Sequence, residues 1–280
     1  MNMNININCF PHLPKVPKYY SEIQSNFPPQ TVTTMKSQPR KNTHGRPANG
    51  STDTQDSNLP IFFFLPNDPP YGTFCQWEPT TFTIPRETLT WLRTAHPGHR
   101  EASPVPPAPS SSGPIPTEIS FNCAEQFMMF CKALYFHDKT FGNLIMSTDD
   151  PSLQKKYGRA VKDFIDFLWR QSCERVAFEG NWWKFSRDEA RRNLLLGTGD
   201  RMICEASSMD RRWGIGYKRQ DALRYRGNWG ENLLGKGIMQ VRSKLRERVR
   251  DIETGRRGPE DWDLPGAEMW VVKEGVTTAR

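Results

Sequence analysis

The sequence predicts an α+β, mostly helical single domain with short strands, preceded by a disordered arm. Three observations carry that expectation. After residue 119 apolar side chains recur at three- and four-residue steps, the spacing of helices packed on one face. Few runs have strand length and content, chiefly 61–65, 82–84 and 201–206. Finally, hydrophobic residues make up only 36% of the 280, against about 45–50% in an ordinary globular domain, and mean hydropathy is −0.70. A chain long enough for a substantial core but this polar is expected to divide into a folded part and an unfolded part.

Residues 1–58 are rich in Asn, Gln, Ser, Thr and Pro and lack apolar periodicity. Such a segment cannot bury enough surface to offset its ordering entropy, so it is assigned as a disordered arm. The folded domain is expected over 59–250. It opens at Ile61–Leu65, a buried strand, with Phe82–Ile84 as its partner. A Pro-rich insertion over 93–117 is a surface loop, because its prolines suit neither ladder nor helix interior. It interrupts the domain, since the strand signals before it need partners after it. A helix follows the cap at Asn122 and runs to about Phe136. Asp150-Pro151 opens a helix through Lys162, and another is expected from Asp163 to Val176. Ser186-Arg187-Asp188-Glu189 reads as a capping box for a helix closed by Gly197. Arg201–Ala206 reads as a short strand. Leu234, Ile238, Val241 and Leu245 mark the last helix, 233–248. Residues 251–280 are a charged tail, expected to be frayed.

Composition excludes several classes. No stretch approaches the roughly 18 apolar residues of a membrane span, and the polar N-terminus lacks the apolar region of a secretory signal. With six Lys or Arg and one acid in residues 1–50, a mitochondrial leader stays open beside the cytoplasmic assignment, as does a nuclear location. The six cysteines form no Cys-x-x-Cys, which points to free thiols in a reducing compartment. Four of the five histidines fall in soft segments, so acid–base work is expected from carboxylates, lysine or tyrosine. Phosphate-cradling glycine patterns are absent. Residues 211–257 hold 14 Lys or Arg against 5 Asp or Glu, which suits an anionic partner or a solvated helix face.

Two segments concentrate candidate chemistry. Glu125 and Lys132 share a helical stripe with Met128 and Met129. Two turns separate the charges by about 10.5 Å, too far for a simple pair but suited to gripping a ligand between them. The competing readings are an Asn122-x-x-Glu125 capping box and a snorkelling lysine. The second segment, 207–216, combines Asp210 as a base or hydroxyl acceptor with Trp213 as a stacking platform; its competing reading is a turn with a surface Asp–Arg pair. Trp169, Trp182 and Trp183 read first as core, with base stacking the alternative.

Taken in succession, several blocks resemble the NADAR family (YbiA-like N-glycosidases), in the branch that reads like fungal and plant members. They are Tyr71–Trp77, Cys123–Met129, Lys132-Ala133, Gly158-Arg159, Trp169, Lys184-Phe185, Leu195–Gly199, Glu205–Gly216 and Asn232–Arg242. Order and spacing agree over about 61–249.

The resemblance implies cleavage of a ribose C1–N bond without metal or redox cofactor. The substrate would be a phosphorylated ribosylamino-pyrimidine of early riboflavin synthesis, or ADP-ribose carried on guanine in nucleic acid. A non-catalytic ADP-ribose-binding module is the reading from another class. No membrane partner is implied. By position, Glu125 matches the family's essential glutamate, Asp210 the aspartate before Trp-Gly, and Trp169 a tryptophan implicated in activity. Lys132 matches the helix lysine, as phosphate contact or as nucleophile. Arg159 and Arg211 become candidate phosphate contacts, with Trp213 stacking on the base and Trp77 and Gly214 lining the pocket. The chain departs from the family in carrying Cys75 where serine is frequent, in the 93–117 insertion, and in a longer basic loop at 217–231.

Overall fold

The computed structural model describes residues 58–98 and 117–265. The N-terminal arm and most of the Pro-rich insertion lie outside these residues. The domain is mostly helical, with two separate two-stranded sheets. Strand β1 (Ile61–Phe63) pairs in parallel with β4 (Ile203–Glu205), Ile61 opposite Ile203 and Phe63 opposite Glu205. Strand β2 (Phe82–Pro85) pairs antiparallel with β3 (Glu118–Phe121), Phe82 opposite Phe121. Phe82–Ile84 is therefore not the partner of 61–65. It closes instead on a strand beyond the insertion, which interrupts the domain without ending it.

Nine helices accompany these strands among the described residues: α1 (Thr90–Ala95), α2 (Ala124–Tyr135), α3 (Lys139–Met146), α4 (Pro151–Arg159), α5 (Asp166–Arg170), α6 (Cys173–Ser186), α7 (Glu189–Gly197), α8 (Arg219–Ala222) and α9 (Leu233–Glu253). None is long and apolar enough to cross a membrane. Helix α6 is central, packing on α2, α7 and α9. It buries every residue from Val176 to Ser186, with Trp182 and Trp183 in the core as expected. The Gly180 Cα lies so near the Phe127 ring that a Cβ would approach it to 2.6 Å, so α2 and α6 sit close.

The structure corrects several sequence expectations. The helix expected over 163–176 is two: α5 begins at Asp166, after Asp163 in a left-handed conformation (φ 53°), and ends at Arg170, and α6 starts afresh at Cys173; α4 has already ended at Arg159. Ser186 ends α6 and caps nothing that follows. The cap of α7 is Asp188, whose carboxylate accepts the Arg191 N–H at 2.9 Å. Helix α1 occupies part of the segment assigned to the insertion and buries Leu92. Residues 251–265 are not frayed; the rest of the expected tail lies outside the described residues. Helix α9 runs to Glu253, Trp262 and Leu264 pack on the core, and the Trp182 indole donates to the Trp262 carbonyl at 3.2 Å. The buried Arg248 guanidinium binds the carbonyl of Asp263 at 3.0 Å.

Candidate active site

Helix α2 starts at Cys123, whose Sγ accepts the Gln126 N–H at 3.5 Å. The Gln126 side chain reaches back to accept the Asn122 N–H at 2.8 Å. Cys123 and Gln126 thus perform the capping that the Asn122-x-x-Glu125 spacing suggested, and Glu125 is released from it. The Glu125 amide donates to the Gln76 carbonyl at 3.0 Å, which seats the residue against the 75–78 segment. Its side chain is buried, and Oε1 has no hydrogen-bond partner. Burial pushes this carboxyl above its usual range, against Lys155, a hydrogen bond from the Trp77 indole, and Arg159.

The cations come from α4. Lys155 and Arg159 lie four residues apart on one face of that helix, and Gly158 between them lets α4 press on α2. A Cβ at Gly158 would stand 2.1 Å from the Met129 sulfur. Lys155 also lies 5.7 Å over the Trp77 ring. Arg159 is exposed and lies within electrostatic reach of both Glu125 and Lys132.

The end of β4 supplies a carboxyl that the sequence reading did not assign. Asn232, left-handed at the start of α9 (φ 53°), clamps this strand end. Its Oδ1 accepts the Glu205 N–H at 3.1 Å and its Nδ2 donates to the Ile203 carbonyl at 2.8 Å. Glu205 Oε2 is sealed from solvent without a partner. Burial, then the Asp210 charge, pushes this carboxyl up to about 7, opposed by Lys155 and reinforced by Glu125. The signal was present in the sequence: an acid closing an otherwise apolar strand, where parallel strands commonly deliver ligand contacts.

Asp210 sits in the following turn with a different role. Its Oδ1 accepts the backbone N–H groups of Arg212 and Trp213, at 2.9 and 2.8 Å. It therefore fixes the turn that holds the half-buried Trp213. Gly214 has no room for a side chain, since a Cβ would lie 2.8 Å from the Glu205 carbonyl. Arg211 turns away to bind the Asn228 carbonyl at 2.8 Å, which ties it to the 217–229 loop.

Lys132, two turns beyond Glu125, is buried with its ammonium 3.7 Å over the Phe164 ring. Burial lowers it to about 8, with Asp166 opposing and Arg159 reinforcing the shift. Trp169 is buried edge-on to Tyr135, at the C-terminal end of α2. It is core, against Tyr135, which stands about ten residues of helix, roughly 15 Å, beyond Glu125.

A second charged cluster borders this one. Lys184, fully buried on α6, donates to the Cys75 carbonyl at 3.0 Å and pairs with Glu78 at 3.2 Å. Arg191 completes the cluster on Glu78 at 2.5 Å. The Cys75 thiol beside it is pushed up to about 11 by burial, so it is neutral at ordinary pH.

Residues 62–246 match the NADAR domain. The chain belongs to the NADAR family. Among similar proteins, "N-glycosidase R617" of Acanthamoeba polyphaga mimivirus is 40% identical over 123 residues, 43% of this chain and 72% of that protein. "Protein irg-1" of Caenorhabditis elegans is 32% identical over 169 residues, covering 59% and 79% respectively. The solution structure of the Escherichia coli protein YbiA is similar at a TM-score of 0.48 and 18% identity, covering 69% of this chain and 89% of that one.

This NADAR domain thus gathers Glu125, Glu205 and Asp210 with Lys155 around the Cys75–Trp77 segment. Lys132, under Phe164, sits farther along α2. A carboxyl whose titration burial raises, as for Glu125 and Glu205, can supply or take a proton, and an ionised one stabilises positive charge developing on a sugar carbon.

Proposed function

We propose that the chain hydrolyses the ribose C1–N bond of a phosphorylated ribosylamino-pyrimidine, a riboflavin-pathway intermediate, and releases ribose 5-phosphate. By family, and by its relation to the mimivirus N-glycosidase, the chain is an N-glycosyl hydrolase. The observation that carries the reading is Glu125, a buried carboxyl with an unpartnered oxygen that no capping role accounts for. Departure of the amine leaves oxocarbenium character at C1, which an adjacent carboxylate stabilises before taking a proton from the attacking water, while a second proton carrier serves the leaving nitrogen.

Lys132 has two roles open to it. As an ammonium it can hold the phosphate. With its proton leaving near pH 8, enough neutral amine exists at pH 7 for attack on a sugar aldehyde. Arg159, exposed beside both charges, suits the phosphate in either case. The test is to incubate the full chain with 5-amino-6-ribosylamino-uracil 5′-phosphate and measure ribose 5-phosphate. Release that is abolished by Glu125→Gln is expected; no release from the unaltered chain would overturn the reading.

The 217–231 loop favours a second reading, ADP-ribosyl-guanine hydrolysis on nucleic acid. Arg224 and Arg226 are exposed there, and the Tyr217 and Tyr225 rings stack at 4.9 Å, so charge and aromatic faces are interleaved. In that case affinity for ADP-ribosylated DNA falls steeply with salt, and neutralising both arginines flattens the slope. A salt-independent affinity removes this reading.

A further inference from the structure

Glu125 and Glu205 come from different parts of the chain, the first turn of α2 and the last residue of β4; Glu125 is buried and Glu205 half-buried, yet each hides one carboxyl oxygen from solvent. Glu125 Oε1 and Glu205 Oε2 each lack a hydrogen-bond partner. In a folded protein such atoms call for a water, an ion or a chemical role. Both acids lie within electrostatic reach of each other, of Lys155 and of the Cys75 thiol. Two neighbouring carboxyl groups that share Lys155, with Arg159 acting on Glu125 alone, cannot comfortably both ionise. Asp210, the acid that sequence position favoured as the partner of Glu125, spends its Oδ1 on two backbone N–H groups. Glu205 has backbone groups held by Asn232 and Ile215, but its Oε2 is left over.

We propose that Glu205 is the second catalytic carboxyl of this site, sharing one proton with Glu125 and passing it to the leaving nitrogen. This rests on the N-glycosidase reading. The step balances without a further reagent. As the C1–N bond breaks, its electron pair stays on nitrogen, which takes the shared proton from Glu205. Water then bonds to C1, and its proton goes to the Glu125 carboxylate, which restores the pair to its starting state. Asp210 acts through the Trp213 turn and is a positioning residue.

The pair's titration and its chemistry are separable. The full chain, labelled with carbon-13 at the glutamate carboxyl, is followed by NMR from pH 4 to 9. The groups facing Glu205 are Asp210 from the turn after β4, Lys155 from α4, Glu125 from α2, and the neutral Cys75 thiol from the segment after β1. One glutamate signal is expected to titrate within about one unit of pH 7. It is expected to vanish in Glu205→Gln, and equally in Glu205→Asp, which keeps a carboxyl should the amide variant fail to fold. In Glu125→Gln its midpoint should fall, because a like charge has gone. No glutamate titrating above pH 5.5 overturns the shared proton.

For the chemistry, Glu205→Gln is compared on two substrates. One is a ribosylamine, whose nitrogen must be protonated to leave; the other is a pyridinium riboside, whose base departs already neutral. A loss of about 10²–10⁴-fold on the first, with under tenfold on the second, is expected. Equal losses on both, or full activity on both, overturn the acid role while the N-glycosidase reading stands. Failure of the unaltered chain to cleave either glycoside overturns that reading, and the catalytic role with it.

Discussion

Two clusters of buried charge share the Cys75–Glu78 segment, and they are finished differently. In the first, the Lys184 ammonium meets Glu78 and the Cys75 carbonyl, and Arg191 binds Glu78 from the other side. Burial alone would raise Glu78, but Arg191 and Lys184 hold it below its usual range. In the second, Glu125 and Glu205 keep an unpartnered oxygen each, and burial pushes both upward. A buried charge that has found its partners is a staple. One left short of partners is a group kept ready for something absent. The first cluster holds the loop that gives Glu125 its Trp77 and Gln76 contacts; the second is where the proposed chemistry lies.

The comparison breaks first at Glu125. Glu125→Gln is expected to lower turnover by about a thousandfold or more, while thermal stability moves by less than about 1 kcal/mol, because no hydrogen bond to Oε1 is lost. A collapse of the melting temperature with activity per folded molecule intact would make Glu125 a staple after all. Lys184→Met should do the reverse. It leaves Glu78 short of a cation and a buried carbonyl without a donor, which costs about 3 kcal/mol in urea unfolding. Activity per folded molecule should fall far less than stability. Gly158→Ala sharpens the picture from α4: the added methyl meets Met129, so α4 must lift. A loss of about 1–3 kcal/mol should come with a several-fold drop in turnover, as Lys155 and Arg159 retreat from the carboxyl groups.

The first cluster and the second were unequally legible in the sequence. Glu125 and Lys132 showed themselves, with Met128, as two charges at helical spacing in an otherwise apolar run, although α2 has no exposed face. Helix α6 did not, although it carries Lys184, since it is buried on nearly every side, and a helix without a polar face gives no period to read. Its fully buried Trp182 and Trp183 were recognised as core without the helix that holds them. The parallel β1/β4 pair joins residues some 140 positions apart; spacing alone favoured the nearer strand at Phe82–Ile84 as the partner. Glu205 was missed for the related reason that its neighbours, Glu125 and Lys155, come from helices distant in sequence. Asp210 drew attention in its place because it stands in a dense polar–aromatic run, yet that run is polar partly because it must cap its own turn. The basic loop was visible as charge, while the attachment of Arg211 to Asn228 was not.

The smallest expected effect concerns the far end of the stripe, where Lys132 is also buried with incomplete compensation. Burial and Arg159 favour its neutral form, so the folded chain releases this proton near 8 and the unfolded chain near 10.5. Between those values the unfolded chain holds more protons, and stability therefore rises with pH across the window. Below about pH 8 both states are charged and the penalty is present in full; above about 10.5 both are neutral and the gain is complete. The thiols of Cys75, Cys123 and Cys173 slope the other way. Burial raises each to about 11, so the folded chain keeps protons that the unfolded chain loses from about pH 9, and stability falls. Only a difference between proteins isolates the lysine. Urea unfolding of the unaltered chain and of Lys132→Met, at pH 7 and pH 10, should show the variant's advantage shrinking by about 1–2 kcal/mol as pH rises. An advantage that is the same at both values would mean that Lys132 is an ordinary ammonium beneath Phe164, fit to hold a phosphate but not to attack a sugar.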